Sequence, residues 1–289
     1  MSNFDLQLEH WQSVFNKALD QHIEFHYSGN DSVTEAIKYA LKAGGKRVRP
    51  ALCLMTAKAL GGDPEQAIPA ALAIEFVHTY SLVHDDLPCM DNDDLRRGKP
   101  TTHKVYGEAQ ALLAGDALLT DAFNVLASQS QPSTGRMVKE LASAAGGHGM
   151  VLGQSLDLYW TARAGASRLD LDRIHTLKTG RLLGCSAALG ALAVDAPMST
   201  VERLRRFGEG LGLAFQITDD LLDETCNTGK SVGKDRESGK LTYLAMMAPD
   251  LARQAAKSIS SAAIQELDGI LTGTSDLRQF ALWLLGRSS

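Results

Sequence analysis

The sequence predicts an all-α fold in a single domain over residues 1–289, and three observations predict it. Apolar residues recur at three- and four-residue steps along most of the chain, the period of an amphipathic helix. Capping residues, glycines and prolines punctuate these stretches at helix-length intervals. No segment shows the alternation of a half-buried strand, and neither a repeat nor a linker divides the chain.

Residues 4–27 carry Leu8, Trp11, Phe15, Leu19 and Ile23 on one helical face. The next helix is expected to open on a capping box, Ser32-Val33-Thr34-Glu35, and to stop at Gly44-Gly45. Pro50 fits the first turn of a third helix, where its missing N–H costs nothing. Asp63 as N-cap, with Pro64 at the first helical position, starts a fourth that runs to about Leu87, where Pro88 disfavours continuation. Residues 106–130 form an apolar-periodic segment with Leu112, Leu113, Leu118, Leu119, Phe123 and Leu126, in which Asp116 is read as a helix N-cap. Ser133 is expected to cap a helix reaching Gly146-Gly147. Residues 150–161, 170–194 and 199–224 follow as helices, the last opening on the box Ser199-Thr200-Val201-Glu202. Residues 226–240, rich in Gly, Lys, Ser and Asp, read as a long loop, and helices over about 241–270 and 276–287 close the chain.

Composition removes several classes of function. A formal net charge of −5 and an isoelectric point near 5.9 argue against a nucleic-acid binder. Cys53, Cys89, Cys185 and Cys226 lie far apart without metal-type or redox-type spacing, and read as reduced thiols. The N-terminus lacks the layout of a signal peptide, and the longest apolar run, near Leu182–Val194, is too short to span a bilayer. A cytoplasmic protein without membrane insertion is expected.

The chemistry is written in carboxylates. Asp85-Asp86-Leu87-Pro88-Cys89-Met90-Asp91-Asn92-Asp93-Asp94-Leu95-Arg96-Arg97 places five aspartates and two arginines in thirteen residues, directly after an apolar helical run. A charge run is usually a solvated loop. Far downstream, however, Asp219-Asp220-Leu221-Leu222-Asp223 repeats the theme inside another apolar helix. Crowded carboxylates resist full ionisation without a cation, and their hard oxygens suit Mg²⁺, which takes one or two of them plus substrate phosphates. Asp219 and Asp223 share a helix face at a four-residue step. Asp85 and Asp91 would diverge on a straight helix, but Pro88 lets Asp91 return from a loop. Asp93 and Asp94 are read as solvated.

Cations form the complementary set. Gly44-Gly45-Lys46-Arg47-Val48-Arg49-Pro50 joins a glycine turn to basic residues at a helix start, a favourable place for phosphate. Arg96-Arg97, Lys178-Thr179-Gly180 and the loop residues Lys230, Lys234 and Lys240 add to it. An acidic protein with cations beside its acidic motifs points to a polyanion held by Mg²⁺, and diphosphate is the economical candidate. His78 and His84 precede the first cluster at a six-residue step, so they face different ways, and a lone helical histidine is more often structural. Gln154 and Gln216 are read as satisfied buried amides.

These motifs resemble those of the all-trans prenyl diphosphate synthases, specifically the short-chain bacterial farnesyl and plant-like geranylgeranyl group, from about Ala40 to Tyr243. Asp85-Asp86-x4-Asp91 with Arg96-Arg97 looks like the first aspartate-rich motif, and Asp219-Asp220-x2-Asp223 like the second. Gly45 to Pro50, Lys178-Thr179-Gly180, Phe215-Gln216 and Lys240-Leu241-Thr242-Tyr243 match further positions; Leu244 stands where the family often has proline. The resemblance implies a bundle of about a dozen helices around a deep central cavity, a homodimer, and three Mg²⁺ ions per active site, replaceable by Mn²⁺. It implies Asp85, Asp91 and Asp219 as metal ligands, with Asp86, Asp220 and Asp223 nearby or acting through water. It places Arg96, Lys178 and Lys234 on the allylic diphosphate. Lys46, Arg49, His78 and Arg97 fall on isopentenyl diphosphate, with Gly45, Thr179 and Gln216 in the same substrate-binding set.

Tyr80 lies five residues before Asp85, about 7.5 Å down a helix at ~1.5 Å per residue, where a ring makes a floor for a growing tail. With Ser81 it is the chain-length candidate, and by resemblance an aromatic there implies a fifteen-carbon product; ordinary core packing is the alternative. Farnesyl diphosphate synthesis from isopentenyl, dimethylallyl and geranyl diphosphates is therefore the leading reading, with geranylgeranyl diphosphate synthesis second. A terpene cyclase would not need Lys46, Arg49 and His78, and a non-catalytic subunit would not keep every motif aspartate. Residues 224–240 are expected to form a lid over the diphosphate.

Overall fold

The computed structural model describes residues 3–225, 241–270 and 276–286. It is an all-α helical bundle, with about twelve substantial helices and one two-stranded ribbon among the described residues. In order these are α1 (Asn3–His26), α2 (Ser32–Leu41), α3 (Val48–Ala59), a 3₁₀ turn (Pro64–Ala67) and α4 (Ile68–Asp85). The ribbon of β1 (Leu95–Arg96) and β2 (Lys99–Pro100) leads to α5 (Thr102–Tyr106), α6 (Glu108–Ala127), α7 (Thr134–Ala145), α8 (Met150–Trp160) and α9 (Arg168–His175). A π turn (Thr176–Gly180), α10 (Arg181–Ala193), α11 (Met198–Thr225), α12 (Tyr243–Met246), α13 (Pro249–Gln265) and α14 (Asp276–Gly286) complete it.

The apolar run noted in the sequence becomes α10, buried at every residue from Leu182 to Ala193. A helix that is apolar all round belongs in an interior, and α10 packs against α3, α4, α7 and α11. The second interior helix is α4, buried continuously from Ala70 to Val77, with its C-terminal end at Asp85. A smaller core of Leu171, Ile217, Leu221, Tyr243, Ala252 and Ala256 joins α9, α11, α12 and α13. No helix among the described residues is long and apolar enough to cross a membrane.

Several local expectations are corrected. Asp31, not Ser32, caps α2, its carboxylate accepting from the Thr34 N–H at 2.9 Å. Ser133 sits at the N-cap of α7 without a capping hydrogen bond, and α11 begins at Met198, ahead of its supposed box. Asp116 lies in the middle of α6, not at a cap. The single helix expected over 170–194 is interrupted by the π turn, and the Arg96 region forms a hairpin that was not foreseen.

Candidate active site

The first aspartate motif is shaped by the end of α4. Pro88 stops the helix, and the chain curls back so that the Asp91 N–H donates to the Asp85 carbonyl at 2.8 Å. The Leu87 carbonyl accepts from both Met90 and Asn92, and Asn92 takes the left-handed conformation that asparagine tolerates (φ 50°). Thr101 closes the loop from the far side, its hydroxyl donating to the Asp93 carbonyl at 2.8 Å. The Asp91 backbone thus returns beside Asp85, as the helix break at Pro88 led one to expect.

The two arginines that follow part company. Arg97 and Gly98 form the hairpin turn, both with positive φ as a type I′ turn demands. Arg96, in β1, points back to α4, where its Nε donates to Asp86 Oδ1 at 2.7 Å and Oδ2 at 2.9 Å. Asp86 is only 3% exposed, so one of the motif's carboxylates is committed to holding Arg96. Asp93 assists at 3.6 Å and is partly buried, whereas Asp94 pairs with Lys104 at 2.7 Å on the exposed surface and is solvated as expected. Arg97 turns the other way and donates to the Gly44 carbonyl. Its guanidinium lies against Gly45, where φ is 126° and a Cβ would overlap it.

That glycine turn leads into α3. Lys46 faces solvent, whereas Arg47 is buried, ion-paired to the buried Glu75 of α4 and donating to the Leu41 carbonyl at 2.6 Å. Arg47 stands in the sequence among the phosphate-side cations but turns inward, and its partner Glu75 was not foreseen; the signal was a charged residue in the apolar run of α4. Arg49 reaches His78 of α4, with 3.5 Å between Nη1 and Nε2. Burial, reinforced by Arg49, Arg97, Arg47 and Arg96, holds His78 well below the usual imidazole range, so it is neutral inside an arginine cluster. A cluster of guanidiniums around a neutral imidazole results.

The third component is the π turn, an irregularity frequent at functional sites. Its Lys178 donates to Asp157 of α8 at 2.6 Å, and its Thr179 hydroxyl donates to Gln216 Oε1 of α11 at 2.7 Å. Asp157 was also missed as a site residue. Gln216 is the satisfied amide expected, but Gln154 Oε1 is buried without a partner. One turn beyond Gln216, α11 presents Asp219 and Asp220, both half-buried, and Asp220 Oδ2 accepts from the Tyr243 N–H at 2.7 Å. The Asp223 side chain, Lys230, Lys234, Lys240 and the expected lid beyond Thr225 lie outside the described residues.

The electrostatics converge on Asp85. Burial pushes its carboxyl up to about 6, opposed by Lys178 and Arg96 and reinforced by Asp91 and Asp86. Beneath it Tyr80 is 6% exposed, its ring edge-on to His84 at 5.8 Å. Ser81 turns back to its own helix, donating to the His78 carbonyl at 2.9 Å. His84 bonds the Leu112 carbonyl of α6 at 2.9 Å, a structural role as expected. A cavity of about 540 Å³ between Val194–Thr200 and Gly269–Ile270 lies at the other end of α11, some ~30 Å from Asp219 at 1.5 Å per residue, and is not this site.

Residues 30–269 match the model of the polyprenyl synthetase family. The chain is 45% identical over 277 residues to a chloroplastic geranylgeranyl pyrophosphate synthase of Capsicum annuum, covering 92% of this chain and 74% of that one. It is 46% identical over 248 residues to the farnesyl diphosphate synthase of Geobacillus stearothermophilus, covering 83% of each. Its fold superposes on an apo FPP/GFPP synthase from Zymomonas mobilis with a TM-score of 0.82 and 34% identity, over 96% of this chain and 99% of the other. A geranylgeranyl pyrophosphate synthetase from the archaeon Geoglobus acetivorans gives 0.88 and 29%, over 98% and 99%. The chain therefore belongs to the polyprenyl synthetase family and is a short-chain prenyl diphosphate synthase.

Proposed function

We propose that this prenyltransferase condenses isopentenyl diphosphate head-to-tail with dimethylallyl and then geranyl diphosphate, with Mg²⁺, and stops at farnesyl diphosphate. The observation that carries the fifteen-carbon limit is Tyr80, a buried ring on α4 about five residues below Asp85. Its hydroxyl is pushed up to about 12 by burial and then by Asp85. Geranylgeranyl diphosphate is the second reading, favoured by the many relatives named geranylgeranyl pyrophosphate synthase.

The donor set fits Mg²⁺. Asp85 and Asp91 are hard oxygen donors tied together by a backbone bond, and Asp85 resists ionisation unless a cation joins it. Mg²⁺ is usually held by one or two carboxylates and completes its shell with water and substrate phosphate. Asp85, Asp91 and Asp219 would hold the ions. Bound there with substrate, Mg²⁺ supplies charge neutralisation to the departing diphosphate.

The chain's own residues do the rest. Arg96, oriented by Asp86, and Lys178, oriented by Asp157, grip the allylic diphosphate. An ammonium has three donors, so Lys178 can keep Asp157 while donating to phosphate. Lys46, Arg49, Arg97 and the neutral His78 receive isopentenyl diphosphate over the Gly45 turn. These fixed cations stabilise charge as the allylic C–O bond breaks. The isopentenyl double bond then attacks the allylic carbon, and a proton leaves to the released diphosphate. We place the enzyme in the cytoplasm as a homodimer, with the exposed Leu112 and Leu113 of α6 in the subunit contact.

Incubation with Mg²⁺, isopentenyl diphosphate and each allylic starter, followed by product sizing, tests the reading. A dominant C15 product is expected, shifting towards C20 or longer in Tyr80→Ala. Dominant C20 from the wild type overturns the farnesyl assignment. Turnover of farnesyl diphosphate alone would revive a cyclase.

A further inference from the structure

Tyr243 is completely buried, in the small core between α9, α11 and α13. Thr242, whose hydroxyl accepts from the Ala245 N–H at 3.3 Å, turns the chain into α12 and sends the ring inward. Three contacts then hold it. Its N–H donates to Asp220 Oδ2 at 2.7 Å, its hydroxyl donates to Asp172 Oδ1 at 2.6 Å, and its ring stacks on His175 at 5.4 Å between centroids.

Those contacts lead to both elements that carry diphosphate residues. Asp220 belongs to α11 and the second aspartate motif; Asp172 and His175 belong to α9, and His175 directly precedes the π turn with Lys178. Packing alone would accept phenylalanine, since a buried tyrosine needs only some partner for its hydroxyl. Here that partner is a carboxylate on one element, while the backbone of the same residue fixes a carboxylate on the other. Thr179 to Gln216 is a parallel cross-link one level away, so the two elements are tied twice.

Resting on the diphosphate reading above, we propose that Tyr243 and Asp172 are positioning residues. Together they set the orientation of Asp220, and with it the second aspartate motif, relative to Lys178. The hydroxyl–carboxylate bond transmits the placement of α9 to the main chain at Tyr243, and the N–H transmits it to Asp220. Without that bond the aspartates of α11 keep their helix but lose their register against the lysine turn.

The test measures the rise in melting temperature produced by Mg²⁺ with inorganic diphosphate, and the Mg²⁺ concentration for half-maximal turnover. Tyr243→Phe keeps the ring and its packing. It is expected to lose most of the ligand-induced rise and to need about five- to tenfold more Mg²⁺, the worth of one strong hydrogen bond. Asp172→Ala should behave alike, whereas Asp172→Asn keeps an acceptor and should stay close to wild type. Wild-type ligand response in both Tyr243→Phe and Asp172→Ala overturns the proposal. A wild-type protein that shows no rise indicts the diphosphate reading instead. If one of these two variants does not fold, the other decides against Asp172→Asn.

Discussion

Asp85 is the residue on which the site's opposing demands meet. Its carboxyl is partly buried, near two other carboxylates and two cations, and burial wins: the group is raised from the ordinary carboxylate range to about 6. The folded chain therefore holds this proton more tightly than the unfolded chain does. That contribution to stability is full below about pH 4 and is lost as pH rises through about 6. At neutral pH without metal, Asp85 is a liability that function retains. Asp85→Asn should stabilise the metal-free protein near pH 7.5 by on the order of 2 kcal/mol, and the gain should vanish below about pH 4. If Asp85 is the Mg²⁺ ligand proposed above, the same variant should lose at least ~10²-fold in turnover, because the ligand and its charge go together. Calorimetry with chelator at both pH values, beside a steady-state assay, checks this. An Asp85→Asn chain that melts below wild type at neutral pH would contradict it.

At the scale of elements, the site depends on how closely α8 approaches the π turn. Gly153 of α8 lies against the backbone of that turn, where an added Cβ would sit 2.7 Å from the Lys178 Cα. Backbone cannot rotate away as a side chain can, so Gly153→Ala must push α8 and the lysine turn apart. Overpacking of this kind costs about 1–3 kcal/mol, and here it moves Asp157 and Lys178 against each other. Turnover should fall ~10-fold or more while the helical circular dichroism is unchanged; activity within twofold of wild type would show that the turn is not so constrained. This dependence was invisible in the sequence, where residues 170–194 read as one helix because the apolar period runs through the turn with little break. The hairpin was hidden for a related reason: strands of two residues are too short to show alternation. Conversely, the return of Asp91 to Asp85 was legible, because Pro88 has a known effect on a helix. The central helices were legible as apolar runs, and the two aspartate motifs as charge inside apolar surroundings. What remained hidden was partner choice: that Asp86 serves Arg96, Asp157 serves Lys178, and Arg47 goes inward to Glu75. Side chains of like charge at neighbouring positions look equivalent until the backbone conformation assigns them to different sides, as the left-handed Arg47 and Arg97 show.

At the scale of the whole molecule, α6 connects the active site to the outer surface. One side of it packs on α4, and its Leu112 carbonyl receives His84, whose ring in turn meets Tyr80. The other side turns Leu112 and Leu113 outward, 47% and 50% exposed. A single exposed leucine is ordinary; two adjacent ones on the helix that braces α4 are the face on which the proposed homodimer would form. Covering them would remove apolar surface at ~25 cal/mol per Å² and at the same time immobilise the helix behind Tyr80. The wild type should therefore sediment at twice the 31.0 kDa chain mass. Leu112→Glu with Leu113→Glu should give the single-chain mass, since buried unpaired carboxylates oppose association strongly. The dissociated chain should keep its helical content but turn over ~10-fold more slowly and with a broader product spread, because nothing then steadies α6 against His84 and Tyr80. Sedimentation equilibrium with product sizing on the same samples separates the outcomes. A wild type at the single-chain mass, or a double variant that stays paired, removes α6 as the contact; a dissociated variant with an unchanged product ratio would show that Tyr80 measures the tail without help from a second copy.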